Sequence, residues 1–291
     1  MSEGCGPGAT HAWLPTITCT QDCVQVEQRA KAAVTALRVM AVLALVPVMP
    51  LLAVGSPALR RSYCRLLLRA LGVRIKLSGG PVRNLRGVLV VANHSSWIDV
   101  LVIGAVLPGA FVARSDLLDW PGLGLVAKWV KVIPIDRERL RALPEVVGLI
   151  AERLRACRTV VAFPEATTWC GRCHGNFAPA LLQAAVDTGR PVQPLALTYR
   201  YPNGAPSTVA AFIGHDALLR SVARIIAARR TVCELRVNPL LLPGTDRRAL
   251  AARCQSAIFG SPSARDRQAE QQMAPVAQLS PRAVEELPLS A

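Results

Sequence analysis

Acidic residues are missing from Gln28 through Ile98, and aromatic side chains are scarce throughout, at 4% of the chain. The first absence leaves Arg29, Lys31, Arg38, Arg60, Arg61, Arg65, Arg69, Arg74, Lys76, Arg83 and Arg86 uncompensated in sequence, and they carry most of the formal net charge of +15. Such a stretch seeks an anionic partner, either nucleic acid or an anionic membrane. The second absence argues against nucleic acid, because the basic residues interleave with Leu, Val and Met rather than with stacking aromatics. No nucleic-acid partner is therefore expected. Charged residues are only 18% of the chain and hydrophobic residues 52%, mostly Ala, Val and Leu, which suits buried parallel strands and a surface that meets lipid. No G-x-S-x-G turn occurs, which argues against a serine esterase. No internal repeat is visible.

The cysteines also exclude something. Nine is an odd number, which fits a closed disulfide framework poorly. Glu3, Asp22 and Glu27 precede the first apolar run, so no ordinary secretory signal is expected. The thiols are then read as mostly reduced, in the cytoplasm.

From Val39 to Leu59 no charge occurs, about the length that crosses a bilayer as a helix. Pro47, Pro50 and the Gly55-Ser56-Pro57 cluster argue against one straight span, since each proline removes a helix donor. Arg60 to Leu71 then reads as an amphipathic helix, with Tyr63, Leu66, Leu67, Leu68 and Leu71 opposite Arg61, Arg65 and Arg69. A helix pair dipping into one leaflet accounts for both parts; a buried core helix pair is the alternative.

Four regions follow: a Cys-containing leader over residues 1–28, membrane-associating helices over 29–76, an α/β domain over 77–259 and a disordered tail over 260–291. Within the domain, strands are expected at 87–92, 110–113, 130–135, 159–163, 192–199, 209–213 and 232–237, and helices at 96–106, 140–154, 177–186 and 217–228. The alternation predicts a mainly parallel sheet flanked by helices, with the membrane-associated helix pair at its N-terminal side.

Two strand ends carry candidate chemistry. Asn93-His94-Ser95-Ser96-Trp97-Ile98-Asp99 places a histidine at the carboxyl end of a buried strand, where open α/β sheets put their sites. Ser95 or Ser96 is expected to cap the next helix, with Asp99 about one turn in. A carboxylate on one ring nitrogen fixes the tautomer and leaves the other as a general base, so the nucleophile would be a substrate hydroxyl. Taken alone the pattern also fits a core histidine. The second strand end, Phe163-Pro164-Glu165-Ala166-Thr167-Thr168, projects Glu165 toward the same edge, although a solvated glutamate at a strand exit would look similar. Between them, Arg137 follows a strand and has the fixed guanidinium fork that suits phosphate. Pairing with Asp136 or Glu138 is its alternative.

These blocks resemble the glycerolipid acyltransferase family that includes bacterial 1-acyl-glycerol-3-phosphate acyltransferases. The family's N-H-x4-D is matched by Asn93, His94 and Asp99, and its Asp-Arg pair by Asp136-Arg137, with Arg114 where lysine is common. F-P-E-G-T-R is matched at Phe163, Pro164, Glu165 and Thr167, and the Pro-Val-x-Pro strand at Pro191-Val192-Gln193-Pro194. The resemblance covers roughly residues 60–240. It implies catalysis by His94 and Asp99, and substrate binding by Arg114, Arg137, Glu165 and Thr167. It further implies an acyl-CoA or acyl carrier protein donor, no other cofactor, and work on membrane lipid at the cytoplasmic face. Lysophosphatidic acid is the acceptor the family suggests first. Ala166 and Thr168 depart from the motif's Gly and Arg, with Arg172 a substitute at different spacing. An acylated amino acid or a glycolipid precursor therefore stays open as acceptor, as does a non-catalytic lipid-binding role.

Cys170-Gly-Arg-Cys173-His174 formally matches haem attachment, which would need an exported domain. No metal is assigned to the active site. Cys170 and Cys173 offer two zinc ligands, and Cys19 with Cys23, or His11, the others if the leader folds back; thiols in a loop beside the site are the alternative.

Overall fold

A computed structural model of the chain describes residues 19–52, 55–81, 86–107, 109–118, 132–136 and 139–260. Arg137, His11 and the expected tail lie outside the described residues. Among the described residues, seven strands form one sheet: β1 (Val73–Gly79), β2 (Leu89–Ala92), β3 (Ala110–Arg114), β4 (Ile133–Ile135), β5 (Val160–Ala162), β6 (Val192–Arg200) and β7 (Thr231–Val237). Their order is β1-β7-β6-β2-β5-β3-β4. Every pairing is parallel except β6 with β7, so the sheet is mixed and, as expected, mainly parallel.

Strand β2 lies at the centre, and its four residues are at most 1% exposed. Side chains alternate across a strand, so an unbroken apolar run such as Leu-Val-Val-Ala is covered on both faces. On one face Val90 and Ala92 join a core with Ile98, Val102 and Ile103 of α3 (Ile98–Gly104) and Leu68 of α2 (Pro57–Ala70). Helices Leu143–Arg155 and Gln183–Thr188 pack on each other and bury Ile150, Leu154, Ala184 and Ala185.

Helix α1 (Ala32–Leu45) runs into a short 3-10 segment, Val46–Leu52. Residues Ala32–Pro50 are long and apolar enough to cross a membrane, and none of that stretch is buried. Leu37, Met40 and Leu43 stand 58–70% exposed, an outlay of apolar surface that water does not reward. Arg38 on the same helix donates to the carbonyls of Ile226 and Ala228. That contact joins α1 to the end of the helix Leu218–Ala227. On α2 the expected apolar stripe divides: Tyr63 and Leu68 are core, whereas Leu66 is 49% exposed.

Several elements differ from the expected set. Residues 209–213 are a buried turn and irregular segment rather than a strand. Its apolar residues Ala211 and Ile213 pack with Cys19, Trp169 and Cys170 instead of entering the sheet. Strand β1 and the C-terminal helix Arg247–Phe259 are additions to that set. The described end of the leader folds back: residues 25–30 hydrogen-bond to the β6–β7 connection. Gln25 N–H donates to Thr208 Oγ1 at 3.0 Å, and Ala30 N–H to the Ala227 carbonyl at 2.8 Å.

Candidate active site

The parallel register of β2 and β5 aligns Val91 with Ala162, so the segments leaving both carboxyl ends emerge side by side. His94 comes two residues after β2 and Glu165 three after β5. The Glu165 carboxylate accepts the His94 backbone N–H at 2.6 Å and the Gly175 N–H at 2.9 Å. At 2% exposure it ties the two loops together from inside.

Helix α3 starts at Ile98, later than expected, and neither serine is its N-cap residue. The capping role is partly reversed. Asp99, in the first turn, reaches back so that Oδ2 accepts the Ser95 N–H at 2.7 Å and the Ser96 N–H at 2.9 Å. The same oxygen lies 2.9 Å from His94 Nδ1, and the Tyr199 hydroxyl donates to Oδ1. With donors on both oxygens and no exposure, Asp99 has one available orientation. Burial foremost, and then the charge of Asp99, raises the Tyr199 hydroxyl above its ordinary range and keeps it a neutral donor.

Other residues frame the imidazole. Its ring stacks on Phe163, centroids 4.0 Å apart and planes within 15°. Asn93 exchanges hydrogen bonds with the Leu197 backbone, locking the end of β2 against β6. The carbonyls of His94 and Ser95 accept the N–H groups of Trp169 and Phe212. With Nδ1 committed to Asp99, Nε2 is the ring nitrogen available for proton exchange, and the His94 side chain is 16% exposed.

Tyr199, Phe163 and the Gly175 N–H are contributors that sequence reasoning missed. Tyr199 left no signal in the sequence, since only the pairing of β6 with β2 brings it to the site. The remaining candidates are less engaged. Arg114 is at the carboxyl end of β3, exposed, and paired with Asp116 at 2.8 Å. Thr167 is half-buried on the Glu165 loop, and Arg172 is exposed farther along it.

Ala166 adopts φ +57°, the left-handed region, with its N–H on the Phe163 carbonyl. The turn therefore favours the glycine that the resembling motif carries there. An L-residue in that conformation costs about 1–2 kcal/mol, of which glycine's extra unfolded-state freedom takes back roughly 0.4–1. Ala166→Gly is expected to stabilise by up to about 1 kcal/mol, read as a Tm increase of about 2 °C. A lower Tm would refute the strain argument.

The site is a histidine held by a buried carboxylate at the carboxyl edge of an open α/β sheet. The chain belongs to the acyltransferase family: a profile described as Acyltransferase matches residues 74–198. The lyso-ornithine lipid O-acyltransferase of Pseudomonas aeruginosa is 33% identical over 205 residues, covering 69% of this chain and 76% of that protein. The 1-acyl-sn-glycerol-3-phosphate acyltransferase of Neisseria meningitidis is 34% identical over 133 residues, 46% of this chain and 52% of that protein. Among solved structures, the Thermotoga maritima 1-acyl-sn-glycerophosphate acyltransferase, PlsC, aligns with TM-score 0.47 and 18% identity, over 81% of this chain and 98% of that one.

Proposed function

We propose that the protein transfers a fatty acyl group from a thioester, of CoA or of an acyl carrier protein, to the hydroxyl of a lysolipid at the cytoplasmic face of the membrane. The observation that carries this reading is the 2.9 Å contact between His94 Nδ1 and Asp99 Oδ2. Nε2 takes the acceptor's proton, the hydroxyl oxygen attacks the thioester carbonyl, and the C–S bond breaks. The departing sulfur then receives the proton from the imidazolium, which Asp99 stabilises meanwhile. Glu165, with both oxygens on backbone N–H groups, is a positioning residue for the His94 loop. The exposed apolar face of α1 supports placement at the membrane.

For the acceptor, we favour a lysolipid with an amino-acid head group over lysophosphatidic acid. Thr168 stands where the resembling motif has arginine, and its hydroxyl donates to the Phe212 carbonyl, inside the protein rather than toward a phosphate. The Pseudomonas aeruginosa relative, named for lyso-ornithine lipid, supports this choice. The test is thiol release from acyl-CoA or acyl carrier protein, with lysolipids presented in anionic vesicles that the enzyme first co-sediments with. Faster turnover of lyso-ornithine lipid than of lysophosphatidic acid is expected. The reverse order would restore the phosphate acceptor, and release without any acceptor would make the protein a hydrolase.

A further inference from the structure

The strongest feature outside the His94 site is a cluster of thiols. Cys19 meets Cys170 and Cys173 from a segment far away in the chain, and the three Sγ atoms all lie within 4.8 Å of one another. No disulfide joins any described cysteine. Cys19 and Cys170 are buried, and Cys23 packs against the same cluster beside Trp169 and Ile213.

We propose that Cys19, Cys170 and Cys173 bind a structural zinc ion, with Cys23 as fourth ligand. Four thiolates around zinc at about 2.3 Å lie about 3.8 Å apart at the tetrahedral angle, so a small contraction brings Cys19, Cys170 and Cys173 into place, and Cys23, packed against them, would close in as the fourth. The two C-x-x-C and C-x-x-x-C pairs supply two ligands each, a spacing that structural zinc sites use. The turn between Cys170 and Cys173 is already shaped for it. Gly171 takes φ +83°, and the N–H groups of Arg172 and Cys173 both point at the Cys170 sulfur. Such donors stabilise a thiolate and orient it for a metal. Soft thiolates in a tetrahedral set select zinc, or an iron–sulfur cluster, over oxygen-seeking cations.

The position gives the ion a task. The Cys170–Cys173 turn continues the Glu165 loop, whose Trp169 N–H holds the His94 carbonyl and whose Gly175 N–H holds Glu165. Zinc would fasten the leader across that loop and hold the wall behind His94 in place. This claim is independent of which lysolipid is the acceptor.

The experiment is elemental analysis of the full-length protein, purified with reductant, without chelator, and from zinc-supplemented growth. About one zinc per chain is expected, falling below about a tenth of an equivalent in Cys170→Ser/Cys173→Ser and released from the wild type by a mercurial thiol reagent. The cobalt-substituted protein should show thiolate-to-metal charge transfer in the near ultraviolet, altered in Cys23→Ser. An unaltered spectrum removes Cys23 from the ligand set. Wild-type protein without stoichiometric zinc, with iron and labile sulfide, or with a Cys19–Cys170 disulfide under non-reducing mass analysis overturns the proposal, whether or not the variants fold.

Discussion

His94→Ala is expected to lower kcat for acyl transfer about a thousandfold while leaving the protein folded. The ring is held by one hydrogen bond to Asp99 and one face against Phe163, so its removal opens a small space without stranding a buried charge. Asp99 retains the N–H groups of Ser95 and Ser96 and the hydroxyl of Tyr199. Asp99→Asn is the sharper companion. Asparagine can still accept through its one oxygen and meet Tyr199 with its amide, so the loop survives where alanine would leave four donors unpaired. It supplies no negative charge to the imidazolium, and it permits the wrong tautomer. A loss of about a hundred- to ten-thousandfold in kcat is expected for it. Stopped-flow thiol release with saturating lysolipid measures both, with circular dichroism as the folding control. His94→Ala activity within tenfold of wild type would remove His94 from the chemistry.

Much of this site is legible in the sequence because it obeys local geometry. A histidine after an apolar strand and a carboxylate five residues on meet whenever the chain turns into a helix there, and the strand at 159–163 announces the neighbouring loop. What stays hidden depends on strand order. Tyr199 is 100 residues from Asp99 in sequence and reaches it only because β6 pairs with β2. Nothing in either segment states that pairing. Strand β1 is masked by the basic N-terminal element, since Arg74 and Lys76 interrupt Val73, Ile75 and Leu77 just as they would on an amphipathic surface. The segment 209–213 has the apolar content of a strand, whereas its burial comes from the Cys19 and Trp169 cluster. The helix Arg247–Phe259 escapes notice because its alanines and arginines give almost no one-sided pattern. Ala166 shows the converse: its departure from glycine is plain in the sequence, and only the backbone angle gives it a physical meaning.

The second large effect concerns stability and pH. Burial foremost lifts the Glu165 carboxyl from an ordinary 4.5 to about 8; the N–H groups of Gly175 and His94 pull the other way, and the charge of Asp99 adds to the rise. Between those two values the folded protein holds a proton that the unfolded chain releases. The stabilising contribution is therefore fully present below about 4.5 and is lost as pH climbs through 8. Its full size is on the order of 3–5 kcal/mol, since each tenfold gain in proton affinity is worth about 1.4 kcal/mol. Glu165→Gln cannot titrate. It also loses one of the two backbone contacts, because its amide nitrogen cannot accept, which subtracts a roughly constant amount at every pH. Urea denaturation of both proteins from pH 5 to pH 9 separates the two effects. The wild type should be the more stable at pH 5, and its advantage should shrink steadily and reverse or vanish by pH 9. A constant difference across that range would mean that Glu165 is ionised throughout and that its backbone donors outweigh its burial. The expected shrinkage instead makes the neutral acid the form that holds the His94 loop at physiological pH, leaving Asp99 as the single charged carboxylate beside the imidazole.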